Sequence, residues 1–449
     1  MGVVPIWVLW PTSLCYQIHG DGSGRIGVAM KELITNATLL TLSGTDEPRT
    51  GEGMRSIGLV RDGAVFMEEG LIRSVGLSDL VLRDPDAKKA RIHNAQGRIV
   101  MPGFIDCHTH PVFGEARLKD FGLRTSGKSY QEIAAQGGGI VSSIRSTRGA
   151  TESELTQQLL AQTYRFIECG TTTVETKTGY GLDKDSELKA LRAIKHVAAG
   201  SPLELVPTFL GAHAIPPEYQ GRPGEYIDML IKDVLPVVVK ENLAKFVDAF
   251  CEKGFFSEFE CRKFLKAGAD AGLGVRIHAE QLTRSGGASL AAELKAASAD
   301  HLDHADEGDL IKLREAGVIA ALVPGSNHFL GHKEYPDARK IIDAGVPAAL
   351  ATDFNPGTCP CWNMQEVISI ACTRMKMSVE EAIVATTINA AHALGLGKTQ
   401  GSLENGKKAD VIVLDCEDYR ELAYWFGSNC VAMVFKEGKL VHSERNLFA

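Results

Sequence analysis

The sequence predicts an α/β protein: a (β/α)8 barrel of the TIM type with a small β domain assembled from the N- and C-terminal segments. Three observations carry that expectation. From residue 99 onward, eight short apolar, β-branched runs alternate with helix-length amphipathic stretches, the pattern of βαβ units and a parallel sheet. Eight units in about 250 residues suit a closed barrel better than an open doubly wound sheet. Both ends of the chain are rich in strand patterns and lack long helical ones, so the economical arrangement joins them in one β unit.

Residues 1–29 hold a short apolar stretch, Ile6 to Trp10, between Pro5 and Pro11, and then a patternless glycine-rich segment, Asp21 to Gly27. With no positively charged n-region, this reads as a disordered extension or an over-called start, and not as a signal peptide. The first β segment, residues 30–98, opens on Leu33-Ile34 and Ala37–Leu42. It continues as a hairpin, Ala64–Met67 and Leu71–Val75, around the Glu68-Glu69-Gly70 turn. The barrel is expected over residues 99–397. Its strand runs are Ile99–Asp106, Thr171–Thr176, Glu204–Leu210, Phe246–Cys251, Gly274–His278, Ser298–Leu302, Val318–Val323 and Val346–Thr352. Amphipathic stretches such as Glu152–Cys169, Asp185–Ala198 and Ser257–Ala271 supply crossover helices. After a helix at Val379–Leu394, strands return at Lys408–Leu414 and Val431–Phe435, the second turning at Lys436-Glu437-Gly438 into Lys439–Val441. Residues 398–449 complete the β domain. Gly137-Gly138-Gly139 follows a helical stretch and no strand, so a dinucleotide-binding fold loses its main support.

Hydrophobic residues make up 44% of the 449 and charged residues 23%, which excludes collagen, coiled coil and wholesale disorder. The net charge is −8, from 48 basic and 56 acidic side chains. That balance carries no basic footprint of a nucleic-acid or anionic-membrane binder, whereas a small acidic ligand needs only one local arginine. No apolar run reaches the roughly 18 residues of a membrane helix. The ten cysteines are scattered without a Cys-x-x-Cys, so no disulfide framework is expected and a reducing cytoplasm fits. The close pair Cys359-Pro360-Cys361 reads as two buried or loop thiols.

In a barrel of this type the site lies at the C-terminal ends of the strands. The first run ends Asp106-Cys107-His108-Thr109-His110. Alternation puts His108 and His110 on one face, where two imidazoles chelate a borderline cation. The second end offers Glu175, Lys177 and Tyr180, and the third His213. The fifth offers His278 and Gln281, the sixth Asp300 and His301, and the eighth Asp353 and Asn355. One such histidine alone would be a packed or surface residue. Five of the chain's thirteen histidines and an aspartate, all at strand ends, make a cluster. Three neutral imidazoles and a carboxylate suit one divalent metal ion, Zn or Fe, and suit magnesium or calcium poorly. The donor types do not choose between zinc and iron.

The motifs FIDCHTH (104–110), HAEQ (278–281), DHL (300–302), ATDFNPGT (351–358) and GSLENGKKADVIVLD (401–415) together resemble the amidohydrolase superfamily. Within it, HTHPVFGEAR (108–117), AAQGGGIVSSIRSTR (134–148), ETKTGYGLD (175–183), GAHAIP (211–216) and DFNPGT (353–358) are similar to the imidazolonepropionase family. The resemblance spans about residues 31–445. It implies hydrolysis of the ring amide of 4-imidazolone-5-propanoate to N-formimidoyl-L-glutamate, a step of L-histidine degradation. It also implies a small anionic cyclic substrate and a cytoplasmic homodimer.

Residue by residue, the resemblance makes His108, His110, His278 and Asp353 the metal ligands and sets His301 beside the metal. Arg117, Tyr180, His213 and Gln281 match groups that contact the substrate. Asn355, Gly357 and Thr358 match contacts in the loop after the last strand. The catalytic groups are then Asp353 as general base and acid, His213 or His301 as donor to the developing oxyanion, and Gln281, which with Tyr180 orients the ring. Arg117 grips the propanoate with its planar fork. Tyr180 lies between Gly179 and Gly181, in a loop expected either to close over substrate or to be a tight turn. Three departures stand out. Glu115 replaces a glycine usual in the family, and Val323–His328 differs from the usual seventh strand end. No lysine stands at the fourth strand end to bridge two metals, and Lys253 has no ligand role, which favours one metal. The rivals are an aminohydrolase deaminating a guanine-like or triazine ring, and a metal-binding barrel without turnover. Ammonia release would mark the first and a lost ligand or base the second; neither ligand nor base is missing.

Overall fold

A computed structural model describes residues 31–128, 132–133 and 136–444. The expected extension over residues 1–29, and residues 445–449, lie outside the described residues. Strands β1 (Lys31–Leu40), β2 (Leu59–Glu68), β3 (Leu71–Leu77), β4 (Arg91–Asn94) and β5 (Ile99–Pro102) come first. Then follow β6 (Phe104–Asp106), β7 (Thr171–Lys177), β8 (Glu204–Ala212), β9 (Phe246–Cys251), β10 (Gly274–Ala279), β11 (Ser298–His301), β12 (Ile319–Leu322) and β13 (Ala348–Leu350). The chain closes with β14 (Val411–Leu414), β15 (Val431–Lys436) and β16 (Lys439–Ser443).

The two ends of the chain share one sheet, as expected. Its order is β16-β15-β14-β5-β1-β2-β3, with β4 beside β1. The β2–β3 and β15–β16 hairpins turn through Glu69-Gly70 and Glu437-Gly438, all four residues at positive φ. That is the primed-turn geometry whose twist matches the flanking strands. Ile34, Val65, Met67, Val100, Val411 and Phe435 pack on one face of the sheet.

Strands β6 to β13 form a parallel sheet in chain order. Its edges meet where Thr109 bridges Phe354, with His110 N donating to Phe354 O at 2.8 Å and Asp353 N to His108 O at 3.0 Å. Asp106 fixes the seam from below, accepting from Thr352 N at 3.0 Å and Thr352 Oγ1 at 2.5 Å. Closure therefore sets His108 and His110 beside Asp353, although 243 residues or more separate them in sequence (353 − 110 = 243).

The run Ile99–Asp106, expected as one barrel strand, is two strands. Val100 pairs with Val413 in the terminal sheet, while Ile105 pairs with Thr173 in the barrel. The break falls at Gly103, whose N–H donates to Asp410 O and whose missing Cβ leaves room for Thr172, within 2.3 Å of that position. The barrel thus begins at Phe104 and not at residue 99. Capping boxes start the crossover helices at Thr151, Ser257 and Asp306, each side chain taking an N3 backbone N–H that the helix leaves open. The helix Ile388–Ala393 packs its Ala390, Ala391 and Ala393 against Ile105, Val206 and Ile319 of the strands.

Candidate active site

The strand ends bring the expected donors together. His108 Nε2 is 3.2 Å from His110 Nε2, which is 3.4 Å from His278 Nε2. Asp353 Oδ1 is 3.5 Å from His110 Nε2 and 3.7 Å from His108 Nε2. A tetrahedral cation with metal–nitrogen bonds near 2.0–2.1 Å has edges of about 3.3–3.4 Å, so the imidazole spacings fit one. Two overlapping triads have donor atoms mutually within 4.8 Å: His108, His110 and Asp353, and His108, His278 and His301. His301 is thus a fifth group at the same place.

The hydrogen bonds behind these rings test the fit. His108 Nδ1 lies 2.6 Å from Asp300 Oδ2, and His278 Nδ1 lies 3.1 Å from Asp248 Oδ2. A carboxylate only accepts, so both Nδ1 atoms carry the hydrogen and both Nε2 atoms present bare lone pairs to the same spot. Facing lone pairs repel unless a cation lies between them. Burial holds His108, His110 and His278 well below the usual histidine range, in the neutral form that metal binding requires. Burial pushes the Asp353 carboxyl up to about 8. Strain gathers here as well. Glu280, His301 and Asp353 have φ of 53°, 77° and 54°, a left-handed backbone that costs non-glycine residues about 1–3 kcal/mol each.

Beneath the donors lies a charged tier: Glu175, Lys177, Asp248, Arg276 and Asp300, all fully buried. Lys177 Nζ is 2.7 Å from both Glu175 Oε1 and Asp248 Oδ2, and 3.6 Å from Asp300 Oδ2. Arg276 Nη2 donates to Asp300 Oδ2 at 3.1 Å and to Cys107 O at 2.7 Å. Asp248 and Asp300 thereby hold the ring orientation of His278 and His108. Sequence reasoning missed Asp248 and Arg276, and gave Glu175, Lys177 and Asp300 no role. The signal was present, since Asp106 and His108, Glu175 and Lys177, and Arg276 and His278 are i, i+2 pairs that share a strand face.

The substrate-contact candidates ring the mouth above. The His213 ring stacks on His110, centroids 5.1 Å apart at 20°, and Tyr180 meets His213 edge-on at 5.4 Å. His213 Nδ1 donates to Gly179 O at 2.9 Å, and burial lowers this imidazole to about 4. The Gly-Tyr-Gly segment is an anchored tight turn. Glu187 Oε1 accepts from Gly181 N and Leu182 N, both at 2.9 Å, and Arg148 Nε donates to Gly181 O at 2.8 Å. Gln281 is half-buried just past β10. Phe250 forms a wall, 5.8 Å from His278 and 6.3 Å from His213, and was not foreseen.

The loop after β13 is stapled by one side chain. Asn355 Nδ2 donates to Asp353 O and to Thr358 Oγ1, both at 2.7 Å. Asn355 Oδ1 accepts from Gly357 N at 2.9 Å and Thr358 N at 2.7 Å. Its four hydrogen-bonding positions are therefore filled within the loop. Arg117 lies on this loop, with its N–H donating to Pro356 O at 3.3 Å. A Cβ on Gly357 would fall 1.0 Å from Arg117 Nη2, so glycine makes room for the guanidinium.

A closed parallel barrel whose strand ends aim histidines and an aspartate at one point is the architecture of a metal-dependent hydrolase. The model of the amidohydrolase family matches residues 99–441. An imidazolonepropionase of Symbiobacterium thermophilum is 45% identical over 408 residues, covering 90% of this chain and 96% of that protein. One of Solibacter usitatus is 46% identical over 410 residues, covering 91% and 98%. The solved structure of E. coli guanine deaminase is 16% identical, with a TM-score of 0.67 over 92% of this chain and 99% of that one, a likeness of fold alone. The chain belongs to the amidohydrolase family and, within it, to the imidazolonepropionases.

Proposed function

We propose that this chain hydrolyses the ring amide bond of 4-imidazolone-5-propanoate to N-formimidoyl-L-glutamate, a step of L-histidine degradation. The observation that carries the reading is 45–46% identity to imidazolonepropionases along nearly the whole of both chains. The converging histidines and aspartate supply the chemistry such a hydrolysis needs.

We take His108, His110, His278 and Asp353 as the ligands of one divalent ion, zinc or iron. An ion held by these four residues would supply Lewis acidity, acidifying a water and polarising a carbonyl. Asp353 stands between the imidazoles and the Asn355–Thr358 loop, placed to take a proton and return it to the departing ring nitrogen. His213 already donates its Nδ1–H and is neutral, so its Nε2 is an acceptor suited to a ring N–H and unsuited to an oxyanion. The oxyanion donor is then His301, whose buried Nδ1 has no partner among the described residues. Arg117 takes the propanoate, while Tyr180 and Gln281 orient the ring. Thr358 Oγ1 accepts from Asn355 and keeps its own O–H to donate to substrate. Asn355 acts as a positioning residue for Gly357 and Thr358, because its amide has no free position.

The test is incubation with freshly prepared 4-imidazolone-5-propanoate, with metal analysis of the same sample. Formimidoylglutamate without ammonia is expected, with one equivalent of zinc or iron. Ammonia release, or no turnover by metal-loaded protein, refutes the reading. We place the enzyme in the cytoplasm as a homodimer. The nine described cysteines are free thiols, as a reducing compartment keeps them. The exposed Tyr424-Trp425-Phe426 run offers apolar surface to a second copy, and light scattering checks the dimer. No helix among the described residues is long and apolar enough to cross a membrane.

A further inference from the structure

Two arginines reach the same loop at the rim of the barrel, with one carboxylate nearby. Arg117 precedes the helix Leu118–Thr125, and Arg124 lies in its last turn. Both reach the loop after β13: Arg117 Nη2 fills the space beside Gly357, and Arg124 Nη1 donates to Gly357 O at 3.4 Å. Asp120 is the acidic group within reach. Its Oδ2 is 3.9 Å from Arg117 Nε, beyond hydrogen-bond length, and the same oxygen accepts from Gly139 N at 2.8 Å. Arg117 Nε and Arg124 Nη2 are both buried with no hydrogen-bond partner among the described residues. Like charges held together, each with an N–H withdrawn from water, are unfavourable unless an anion joins them.

The order of the charges gives the anion's direction. The positive charge of Arg117 acts on Tyr180 and His213, at the wall of the site. The charges acting on Arg124 are those of Arg117 and Asp120. Arg124 packs against the ring of Phe121, which is exposed at the surface, and is the outer member of the pair. Its guanidinium is braced 4.6 Å over the Phe329 ring and 5.6 Å over Phe121, which fixes the long side chain before any ligand arrives. A substrate with its ring amide at the histidines and Asp353 points its propanoate outward, toward this pair.

We propose that Arg124 is a second carboxylate-binding residue, which with Arg117 holds the propanoate tail from two sides and selects imidazolones that carry an alkyl carboxylate. The proposal rests on the ring hydrolysis set out above. A carboxylate has about four lone-pair sites; one guanidinium occupies two of them and a second takes the remainder.

The experiment uses the full metal-loaded chain and its Arg124→Ala and Arg124→Lys variants. Steady-state kinetics are measured on 4-imidazolone-5-propanoate, and competitive inhibition with imidazole-4-propanoate and with 4-methylimidazole. Arg124→Ala should raise KM and the imidazole-4-propanoate inhibition constant about tenfold, the loss of one charge-assisted contact. It should leave kcat and inhibition by 4-methylimidazole as in the parent. Arg124→Lys should recover part of the loss, restoring charge without the fork. An unchanged KM, or equal weakening of both inhibitors, overturns the proposal. A parent chain that turns over while Arg124→Ala matches it in KM defeats Arg124 alone; a parent chain with no turnover defeats the hydrolysis reading and this proposal with it.

Discussion

Replacing Gly357 with alanine should disable Arg117 without touching it. The new Cβ would lie 1.0 Å from Arg117 Nη2, 1.9 Å from Cζ and 2.4 Å from Nε. All three atoms belong to the far end of a flexible side chain, so the guanidinium swings away and the loop backbone stays. Gly357 itself lies outside the left-handed region, and alanine there is unstrained. Folding stability should hold or rise slightly, since alanine restricts the unfolded chain by about 0.4–1 kcal/mol. In the proposed binding mode, what is lost is the grip on the propanoate. A charge-assisted contact contributes about 1.5–3 kcal/mol, so KM should rise about 10- to 150-fold. Loss of uniform binding leaves kcat near the parent value. The assay is a double-mutant cycle in KM with Gly357→Ala, Arg117→Ala and the pair. If alanine acts by displacing the guanidinium, the double variant is no worse than the worse single one. A parent-like KM for Gly357→Ala, or additive losses in the double variant, would refute the mechanism.

Asp353→Asn should abolish turnover; activity within about tenfold of the parent removes the proton-transfer role. Chelation should abolish activity and lower the melting temperature, since a ligand of the native state stabilises it. Zinc or iron should restore both, and a stripped chain that still turns over contradicts the metal assignment. Asp300→Ala removes the acceptor for His108 Nδ1–H and should weaken metal affinity about 10- to 100-fold. Competition against a chromophoric chelator measures it, and parent affinity would show that Asp300 does not orient the ligand.

Much of this arrangement is legible in the sequence, for identifiable reasons. The crossover helices were readable from their amphipathic spacing and the strands from β-branched runs. The two hairpins were marked by Glu-Gly turns that positive φ demands. The donors were readable because histidines at strand ends are chemically distinctive. Other features were not. The split of Ile99–Asp106 hides inside continuous apolar character, and Pro102-Gly103 was its one mark. Asp248 in FVDAFC and Arg276 in GVRIHA look like interruptions of apolar strands. Periodicity scores them as noise; the i, i+2 spacing to His278 was a usable mark for Arg276, but Asp248 has no such mark, because pairing across a barrel is invisible to local pattern. Asn355 matched a substrate contact by motif, and only the geometry reveals an amide already spent on its own loop.

The polar groups divide by depth in a way that accounts for both halves of the site. Barrel interiors are ordinarily filled by branched aliphatic side chains, and here one layer is ionic instead. Burying five charged groups is unfavourable unless each finds partners. Lys177 spans Glu175 and Asp248, and Arg276 spans Asp300 and the Cys107 and Ala393 carbonyls. Breaking one buried pair typically costs about 3–5 kcal/mol, because the partner is left behind uncompensated. That same penalty keeps the layer rigid, and with it the tautomers of His108 and His278. The rim obeys the opposite rule. Arg117 Nε and Arg124 Nη2 have no hydrogen-bond partner among the described residues, and in the proposed binding mode that unspent charge is what the acid group of the substrate meets. A site that paired its rim as completely as its floor would hold its metal and have no charge left to bind the substrate.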